Sequence, residues 1–368
     1  MPFKINQKSL ALELALLIQI AGQKNVIPAL ETIRFDFQGS TVSLLAYNGD
    51  VALFTETTAE GENWKGCIPA KQLYDLVRLS SKTEEVVFTP QGSQIQIAWG
   101  RSRHKLPVTD FSAFPDIVAP VAKDERLSVK VEDFTSALER VLPCAAKDDT
   151  AKWMVRGIKL EAKEGKLEII GTNTHRLGVA SIPAEGEIDL FIPLKAAELL
   201  PRLKSEDVMI WHDGQQAVFN FGPRTLVSRL MTGSFPNWRV FMPEHLPLSA
   251  SLVTEEMIGA LKRADVTRDE TFKTGVGRML LSVVFIFGKE ELVIDTRHSD
   301  VHGRSEESVA INSNLNGDLI YMGINPDYVM DFLRLAGPTT EFFLKDGKSV
   351  LKLTDGSNFE YLVVPTRL

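Results

Sequence analysis

The stretch "IPAKQLYDLVRL" at residues 68–79 has two near-copies further along the chain. They are "IPLKAAELLPRL" at residues 192–203 and "INPDYVMDFLRL" at residues 324–335. Each copy begins with Ile and ends with Arg-Leu. Neighbouring copies are separated by well over a hundred residues, which is too far for a solenoid repeat and suits the size of a whole domain. The sequence therefore predicts a domain that occurs three times.

A helical segment precedes each copy, and this second recurrence supports the repeat. The segments are "NQKSLALELALLIQIAG" (6–22), "KVEDFTSALERVLP" (130–143) and "VTEEMIGALKRADV" (253–266). In the middle segment Phe134, Leu138 and Val141 have the spacing of one apolar stripe on a helix. In the last segment Thr254, followed by two glutamates, is predicted to be the helix N-cap.

Stretches in which apolar and polar residues alternate lie between the helical segments and indicate strands. Among them are "QIQIAW" (94–99), "KLEIIG" (166–171), "QAVFNFG" (216–222) and "VLKLTDG" (350–356). Each third ends in an apolar phrase with a proline: "HKLPVTDFSAFPDI" (104–117), "SRLMTGSFPNWRVFMP" (228–243) and "FEYLVVPTRL" (359–368). The order helix, strands, helix, strands predicts an α+β fold. Linkers are predicted near residues 120–128 and 244–251.

The composition excludes several classes of protein. Of the 368 residues, 44% are hydrophobic and 24% are charged, which is typical of a globular protein rather than a disordered one. The apolar runs are too short or too interrupted for a bilayer span, and the N-terminus lacks a signal peptide, so no membrane partner is expected. Cys67 and Cys144 form no disulfide or metal pattern, and we expect a cytoplasmic protein. The net charge of −7 argues against a basic surface that wraps nucleic acid.

Three motifs together resemble the bacterial DNA polymerase III beta subunit, the sliding clamp family. They are "TNTHRLG" (172–178) on a predicted strand, "SFPNW" (234–238) and the terminal "YLVVPTRL" (361–368). The resemblance covers the full length and implies three tandem similar domains with the DNA clamp fold, at residues 1–122, 128–246 and 250–368. It also implies a head-to-tail homodimeric ring with helices lining the hole and sheets outside. The implied function is to encircle duplex DNA and confer processivity on the replicative polymerase.

Basic residues on the helices are predicted to face the DNA in such a ring. Arg78, Arg202 and Arg334 hold the same place in the three copies. The full predicted DNA-facing set is Lys24, Lys71, Arg78, Arg140, Lys152, Trp153, Lys195, Arg202, Lys262, Arg263 and Arg334. A ring holds duplex by topology, so weak and sequence-independent phosphate contacts suffice. An arginine near a helix end could instead complement the helix dipole, and Trp153 could stack on a base or pack on its own loop.

A charge pattern suggests how two copies could join. In "GRSRHKL" Arg101, Arg103 and Lys105 alternate on one face of a strand in the first domain, and Glu306 and Glu307 lie in the corresponding stretch of the third. Opposite charge would favour head-to-tail association, although an ordinary solvated strand face would look the same. The resemblance adds three further candidates for the dimer interface: Val266, Thr267 and Phe272.

The resemblance also implies a cleft between the second and third domains that receives short linear peptides. Its predicted lining is Val155, Thr172, Thr174, His175, Arg176, Leu177, Pro236, Val240, Phe241, Asn325, Tyr328, Leu362, Val363, Val364, Pro365, Thr366 and Arg367. Aliphatic walls with a few polar groups suit a peptide with apolar anchors. His175 and Arg176 are predicted to donate hydrogen bonds at the rim.

Four predicted cleft residues depart from the usual family pattern. Thr174 stands where the family usually has Gly, and Val240 and Phe241 stand where a basic and a smaller apolar residue are common. Thr366 replaces a common Met. These changes are expected to narrow or reshape the cleft. They also leave open a specialised clamp, such as an antibiotic-resistant copy.

The partners implied by the family are duplex DNA, a second copy of the chain, the clamp loader, the replicative polymerase alpha subunit, translesion polymerases and mismatch-repair proteins. Localisation in the cytoplasm at the nucleoid follows. No cofactor or metal is expected, although the two histidines and the aspartate of "HSDVH" (298–302) have a spacing that metal ligands can adopt. The alternative is an enzyme of phosphate chemistry with His175 as base and Arg176 as phosphate clamp. No Ser/His/Asp, Cys/His or two-carboxylate pattern accompanies that pair, so we expect no enzyme.

Overall fold

A computed structural model describes residues 2–22, 24–80, 84–121, 126–147, 152–267, 283–296 and 304–366. The helices of this part of the chain are α1 (Gln7–Ala21), α2 (Ala70–Leu79), α3 (Val131–Val141), α4 (Leu194–Ala197), α5 (Thr254–Val266) and α6 (Pro326–Leu333). The strands up to the middle of the chain are β1 (Phe3–Asn6), β2 (Thr32–Gln38), β3 (Thr41–Tyr47), β4 (Val51–Gly61), β5 (Trp64–Pro69), β6 (Glu85–Gln91), β7 (Gln94–Trp99), β8 (Ser102–Pro107), β9 (Leu127–Lys130), β10 (Gly157–Lys163), β11 (Lys166–Thr172) and β12 (Arg176–Pro183). The later strands are β13 (Ile188–Pro193), β14 (Asp207–His212), β15 (Gln216–Asn220), β16 (Arg224–Arg229), β17 (Leu248–Val253), β18 (Val283–Phe287), β19 (Glu291–Asp295), β20 (Glu306–Ser313), β21 (Ile320–Ile324), β22 (Thr339–Leu344), β23 (Leu351–Thr354) and β24 (Phe359–Val363).

The chain divides into two compact units. The first unit comprises residues 1–135, 162–165 and 184–232, and the second comprises residues 136–161, 166–183 and 233–368. The three-domain division predicted from the repeats stays a prediction.

In the first unit one sheet has the strand order β8-β7-β6-β1-β4-β16-β15-β14-β9, with β3, β2 and β5 continuing from β4. Helix α1 packs on the sheet through Leu10, Leu14 and Leu17, which are fully buried because they fall on one helical face. The rings of Phe3 and Phe88 stack with their centroids 5.0 Å apart in the same core.

In the second unit the strands follow the order β11-β12-β24-β23-β22-β17-β20-β19-β18-β21. The antiparallel pairing of β12 with β24 joins the middle of the sequence to its end and opposes Leu177 to Leu362. Phe285, Phe332 and Phe342 are among the largest buried side chains of this unit. The apolar stripe predicted on α3 is also confirmed, since Phe134, Leu138 and Val141 are all fully buried.

The strands predicted from alternation are found, but the second copy of the repeated phrase is not a full helix. The stretch 94–99 is β7 and 166–171 lies within β11. In the middle copy α4 ends at Ala197, and a short 3-10 helix covers Leu200–Arg202. Pro201 explains the break, because proline has no backbone N–H to donate and its ring clashes with the preceding turn.

Three further predictions about local structure are corrected. Residues 173–175 of "TNTHRLG" form a turn between β11 and β12, not part of a strand. The N-cap of α5 is Val253, since Thr254 is already the first residue of the helix, and the Thr254 hydroxyl donates to the Gly337 carbonyl at 2.6 Å. Residues 248–251, placed in a linker by the sequence, belong to β17.

Both cysteines are buried free thiols. Burial raises the pKa of Cys67 to about 11 and that of Cys144 to about 12, so both stay protonated at neutral pH. Among the described residues, no helix has the length and apolar character to cross a membrane.

Candidate functional site

An apolar cavity of about 360 Å³ opens on the second unit. Its walls are Lys152, Met154, Val155, Thr172, Thr174, Arg176, Leu177, Pro236, Trp238, Phe241, Val350, Leu362 and Val364. The cavity has the volume of a site for a small ligand or for two or three side chains of a peptide. Wall residues that are far apart in the sequence lie together because β12 and β24 are neighbours in the sheet.

The rigid wall of the cavity is built on these two strands. Leu177 and Leu362 are paired across the strands and pack in one buried cluster with Ile170, Val179 and Trp238. Paired strands hold alternate side chains on one face, so this wall exists before any ligand arrives. A preformed apolar wall lowers the entropy cost of binding an apolar anchor.

The turn between β11 and β12 forms one edge of the cavity and is held by side chains. The Asn173 side-chain oxygen accepts hydrogen bonds from the backbone N–H groups of His175 and Arg176, both at 3.0 Å. The Thr172 hydroxyl donates to the Arg176 carbonyl at 2.7 Å and accepts from the Thr174 N–H at 3.1 Å. These bonds hold Thr174 at φ +76°, in the left-handed region that is costly for a β-branched residue.

Arg176 lines the cavity as a buried residue and was not predicted to be buried, since its hydrogen bonds were expected at the rim. Its side chain is only 8% exposed, and its guanidinium donates to Asp331 at 2.7 Å, to the Tyr361 hydroxyl at 3.1 Å and to the Pro143 carbonyl. The guanidinium also lies 4.4 Å from the ring centroid of Tyr328. A buried cation needs such partners. The two terminal nitrogens donate within the protein fold, whereas the buried Nε has no hydrogen-bond partner among the described residues.

The short helix Trp238–Phe241 forms a lip of the cavity, to which it contributes Trp238 and Phe241. Arg239 ties this lip to the sheet through ion pairs with Glu161 at 3.0 Å and Glu168 at 2.6 Å. Trp238 is buried, whereas Phe241 is 61% exposed at the mouth. The exposed Phe241 therefore gives the mouth of the cavity an apolar surface.

The structure brings nine of the seventeen predicted cleft residues into the cavity wall. The predicted residues outside the wall are His175, Val240, Asn325, Tyr328, Val363, Pro365 and Thr366, and Arg367 lies outside the described residues. Asn325 caps α6 by accepting from the Asp327 N–H at 3.0 Å, and Val363 is fully buried. The sequence missed Met154, Trp238 and Val350. Trp238 lies in the quoted motif "SFPNW", which was the available signal.

A second groove lies beside the chain terminus. It is formed by residues 319–321 and 345–348 together with Pro365 and Thr366. Pro365 and Thr366, which the sequence assigned to the cleft, therefore line this second groove. Val364, which precedes them directly, lines the apolar cavity.

The predicted DNA-facing residues differ in how they are held. Those that are exposed are Lys24, Lys71, Arg78, Lys152, Lys195, Arg202, Lys262, Arg263 and Arg334. Arg140 is instead bound to Asp355 at 3.0 Å and to the Leu335 carbonyl, and its side chain is 20% exposed. This salt bridge gives Arg140 a structural role. Lys152 lies in the cavity wall, and the side chain of Trp153 lies outside the described part of the chain.

The predicted interface residues occupy two strands and one helix end. Arg101, Arg103 and Lys105 are exposed, the last two on β8, which is an edge strand of its sheet. In β20 the part that includes Glu306 and Glu307 pairs with β19, and the part from Ile311 pairs with β17. Glu307 forms an ion pair with Arg263 at 2.8 Å within the chain. Val266 is 83% exposed and Thr267 follows α5, whereas Phe272 lies outside the described residues.

No cluster of three or more metal-ligating side chains occurs among the described residues. The "HSDVH" stretch falls outside the described ranges. His175 is exposed on the turn, and its backbone carbonyl accepts from the Val364 N–H at 2.8 Å.

Comparisons with known proteins agree with the fold and its strand connections. Residues 1–118 match the N-terminal domain of the DNA polymerase III beta subunit, and residues 128–237 match its central domain. The beta sliding clamp of Haemophilus influenzae is 24% identical, with 100% of both chains covered. The griselimycin-bound sliding clamp of Pseudomonas aeruginosa superposes with a TM-score of 0.90 at 22% identity, with 100% of both chains covered. The beta subunit of Thermotoga maritima superposes with a TM-score of 0.89 at 18% identity, with 100% of this chain and 99% of the other chain covered. Because the two matched domains span most of the chain, this protein belongs to the DNA polymerase III beta subunit family.

Proposed function

We propose that this protein is a sliding clamp that confers processivity on a replicative DNA polymerase. It works without catalysis, as a head-to-tail homodimer of three-domain chains that encircles duplex DNA in the cytoplasm. Polymerase, clamp loader and repair proteins dock on it through short linear peptides. Family membership supports the processivity role, and the apolar cavity supports the docking role.

The apolar cavity is the observation on which the docking role depends. Most of its wall residues are aliphatic or aromatic, and the two terminal nitrogens of the Arg176 guanidinium already donate to Asp331, Tyr361 and the Pro143 carbonyl. A ligand is therefore recognised by apolar anchors, and its backbone finds polar groups near Thr174 and Lys152. A modest affinity, roughly micromolar or about −8 kcal/mol, is enough when clamp and polymerase share one DNA molecule.

The exposed basic residues suit weak DNA contacts. Lys71 and Lys195 are the second residues of α2 and α4 and are exposed, as are Arg202 and Lys262. Such residues can contact phosphates without reading bases, and each contact is lost as salt rises. Arg140 is left out of this proposed set because Asp355 holds its guanidinium.

Peptide binding tests the docking role directly. A fluorescently labelled Gln-Leu-x-Leu-Phe peptide should bind the wild-type chain with saturation, measured by fluorescence polarisation. Val364→Asp should weaken binding more than tenfold, because a charge would be buried against the apolar anchor. The matched control is Val118→Asp, an exposed valine that does not line the cavity. Equal binding by both variants would refute the cavity as the docking site.

The ring is tested by its mass and charge. The native mass should be twice the 40.9 kDa of one chain. Charge reversal of Arg103 and Lys105 to Glu should give monomers, and a partner with Glu306 and Glu307 changed to Lys should restore association. A monomer at micromolar wild-type concentration would refute the ring.

A further inference from the structure

The second groove has the features of a site for an acidic chain segment, and the argument depends on the peptide docking proposed above. The groove has a volume of about 1130 Å³, which exceeds the usual range of about 300–1,000 Å³ for a small-molecule site. Its apolar surface includes Leu319 and Tyr321, which are 52% and 48% exposed. A groove of this size with half-exposed apolar side chains fits an extended segment better than a compact ligand.

The charged residues of the groove leave a positive balance. Lys345 and Lys348 are exposed, and neither forms an ion pair with another described residue. The single acid, Asp346, is engaged by its own turn: one carboxylate oxygen accepts from the N–H groups of Lys348 and Ser349, both at 2.8 Å. These bonds, first of all that from the Lys348 backbone, hold the pKa of Asp346 below its usual value. Asp346 therefore keeps its negative charge, and the lining has two ammonium groups against one carboxylate.

The turn that presents the lysines packs closely against the backbone of Tyr321 in β21. A Cβ atom on Gly347 would lie 2.1 Å from the Tyr321 carbonyl oxygen, so only glycine permits this contact. The side-chain bonds of Asp346 hold the other half of the turn. Lysines on a fixed turn lose less entropy on binding than lysines on a mobile loop.

Consecutive residues of the chain line the apolar cavity and then the groove. Val364 lines the cavity, and Pro365 and Thr366 line the groove. This segment is held at both ends, because the Val364 N–H donates to His175 and the Thr366 N–H to Gly323, both at 2.8 Å. Two residue steps span at most about 7 Å. An extended peptide advances about 3.3 Å per residue, so a flank would enter the groove within about three residues of its anchor.

We propose that this groove binds the flank of a docked partner peptide and selects flanks with acidic residues next to an apolar one. The lysines would pair with the acids, and Tyr321 would contact the apolar side chain. A partner with a basic flank would be disfavoured by the same lysines. The groove would thereby rank partners that carry equally good apolar anchors.

The test compares labelled peptides that share one Gln-Leu-x-Leu-Phe core. One carries three acids and a leucine before the core, one carries them after it, and one has the core alone. An acidic flank on one side should tighten binding about threefold to tenfold at low salt, the range of two exposed ion pairs. The gain should shrink at about 0.5 M salt because the charges are screened.

The variant Lys345→Glu/Lys348→Glu should abolish the gain and leave core binding unchanged. Lys8→Glu/Lys204→Glu makes the same change in net charge at exposed lysines outside the groove, and should keep the gain. The proposed role of the groove would be overturned, while the docking role stands, if neither flank tightened binding. The same would follow if both double variants kept the gain or if both lost it. Failure of the core peptide itself would overturn the docking role and this inference together.

Discussion

Replacing Thr174 with Gly should stabilise the protein, although the substitution removes a side chain. Thr174 has φ +76°, and a left-handed backbone costs an L-residue roughly 1–2 kcal/mol. Glycine adopts this conformation freely but adds about 0.5–1 kcal/mol of unfolded-state entropy. The hydrogen bond from the Thr174 N–H to the Thr172 hydroxyl is a backbone bond and is retained. The net expectation is a gain of about 0.5–1 kcal/mol.

Thermal unfolding with a structural probe measures this gain, which for a chain of this size corresponds to a rise in Tm of about 1–3 °C. Thr174→Ala is the matched control, because Ala keeps the Cβ atom that is strained at positive φ and should gain much less. Glu164→Gly is a second control, because it replaces another residue at positive φ (+55°) with Gly on a turn outside the cavity wall. If Thr174→Gly were no more stable than Thr174→Ala, the backbone strain inferred here would be refuted.

Three further predictions concern charged groups. Burial of Asp355 works against its ionisation, but hydrogen bonds from Ser357 and Arg140 outweigh that effect and hold its pKa at about 2. Since the ordinary pKa is about 3.9, the ionised carboxylate contributes about 2 kcal/mol of folding stability, which is present above pH 4 and lost as the pH falls towards 2. In acid unfolding, Arg140→Ala should therefore lose less stability over this pH range than the wild type. Arg176→Met should destabilise the protein by about 3 kcal/mol or more in urea unfolding, because Asp331 and Tyr361 lose their buried partner; an effect below 1 kcal/mol would refute this account. Arg239→Ala should loosen the Trp238–Phe241 lip and weaken peptide binding about threefold to tenfold, whereas Arg229→Ala should leave binding unchanged.

The sequence predicted most of the regular structure because alternation and helical spacing report burial directly. Residues 94–99 alternate and form β7, and the stripe of α3 is buried as its spacing requires. A full helix was wrongly predicted for the middle copy of the repeat. The copies look alike, but Pro201 stops the helix in this one. Overall similarity therefore predicted the element, and one residue decided its length.

The cavity was harder to predict because its residues depend on side-chain direction. Leu177 and Leu362 are brought together by the pairing of β12 with β24, which no local pattern in the sequence reveals. The direction of Arg176 was missed for the same reason: a surface arginine and a buried one have the same sequence context. The conformation of Thr174 was not predicted either, since a β-branched residue argues against positive φ.

The exposed arginines bear on how firmly a ring of this kind would hold DNA. Arg78, Arg263 and Arg334 pair with Asp75, Glu307 and Asp331 at 3.1, 2.8 and 3.5 Å. Exposed ion pairs contribute only about 0–1 kcal/mol, so a phosphate could replace each carboxylate at little cost. The carboxylate nevertheless remains beside the arginine and lowers the local positive potential. Contacts with DNA would then be weak and readily exchanged, which is the condition for a ring to slide while its topology prevents escape.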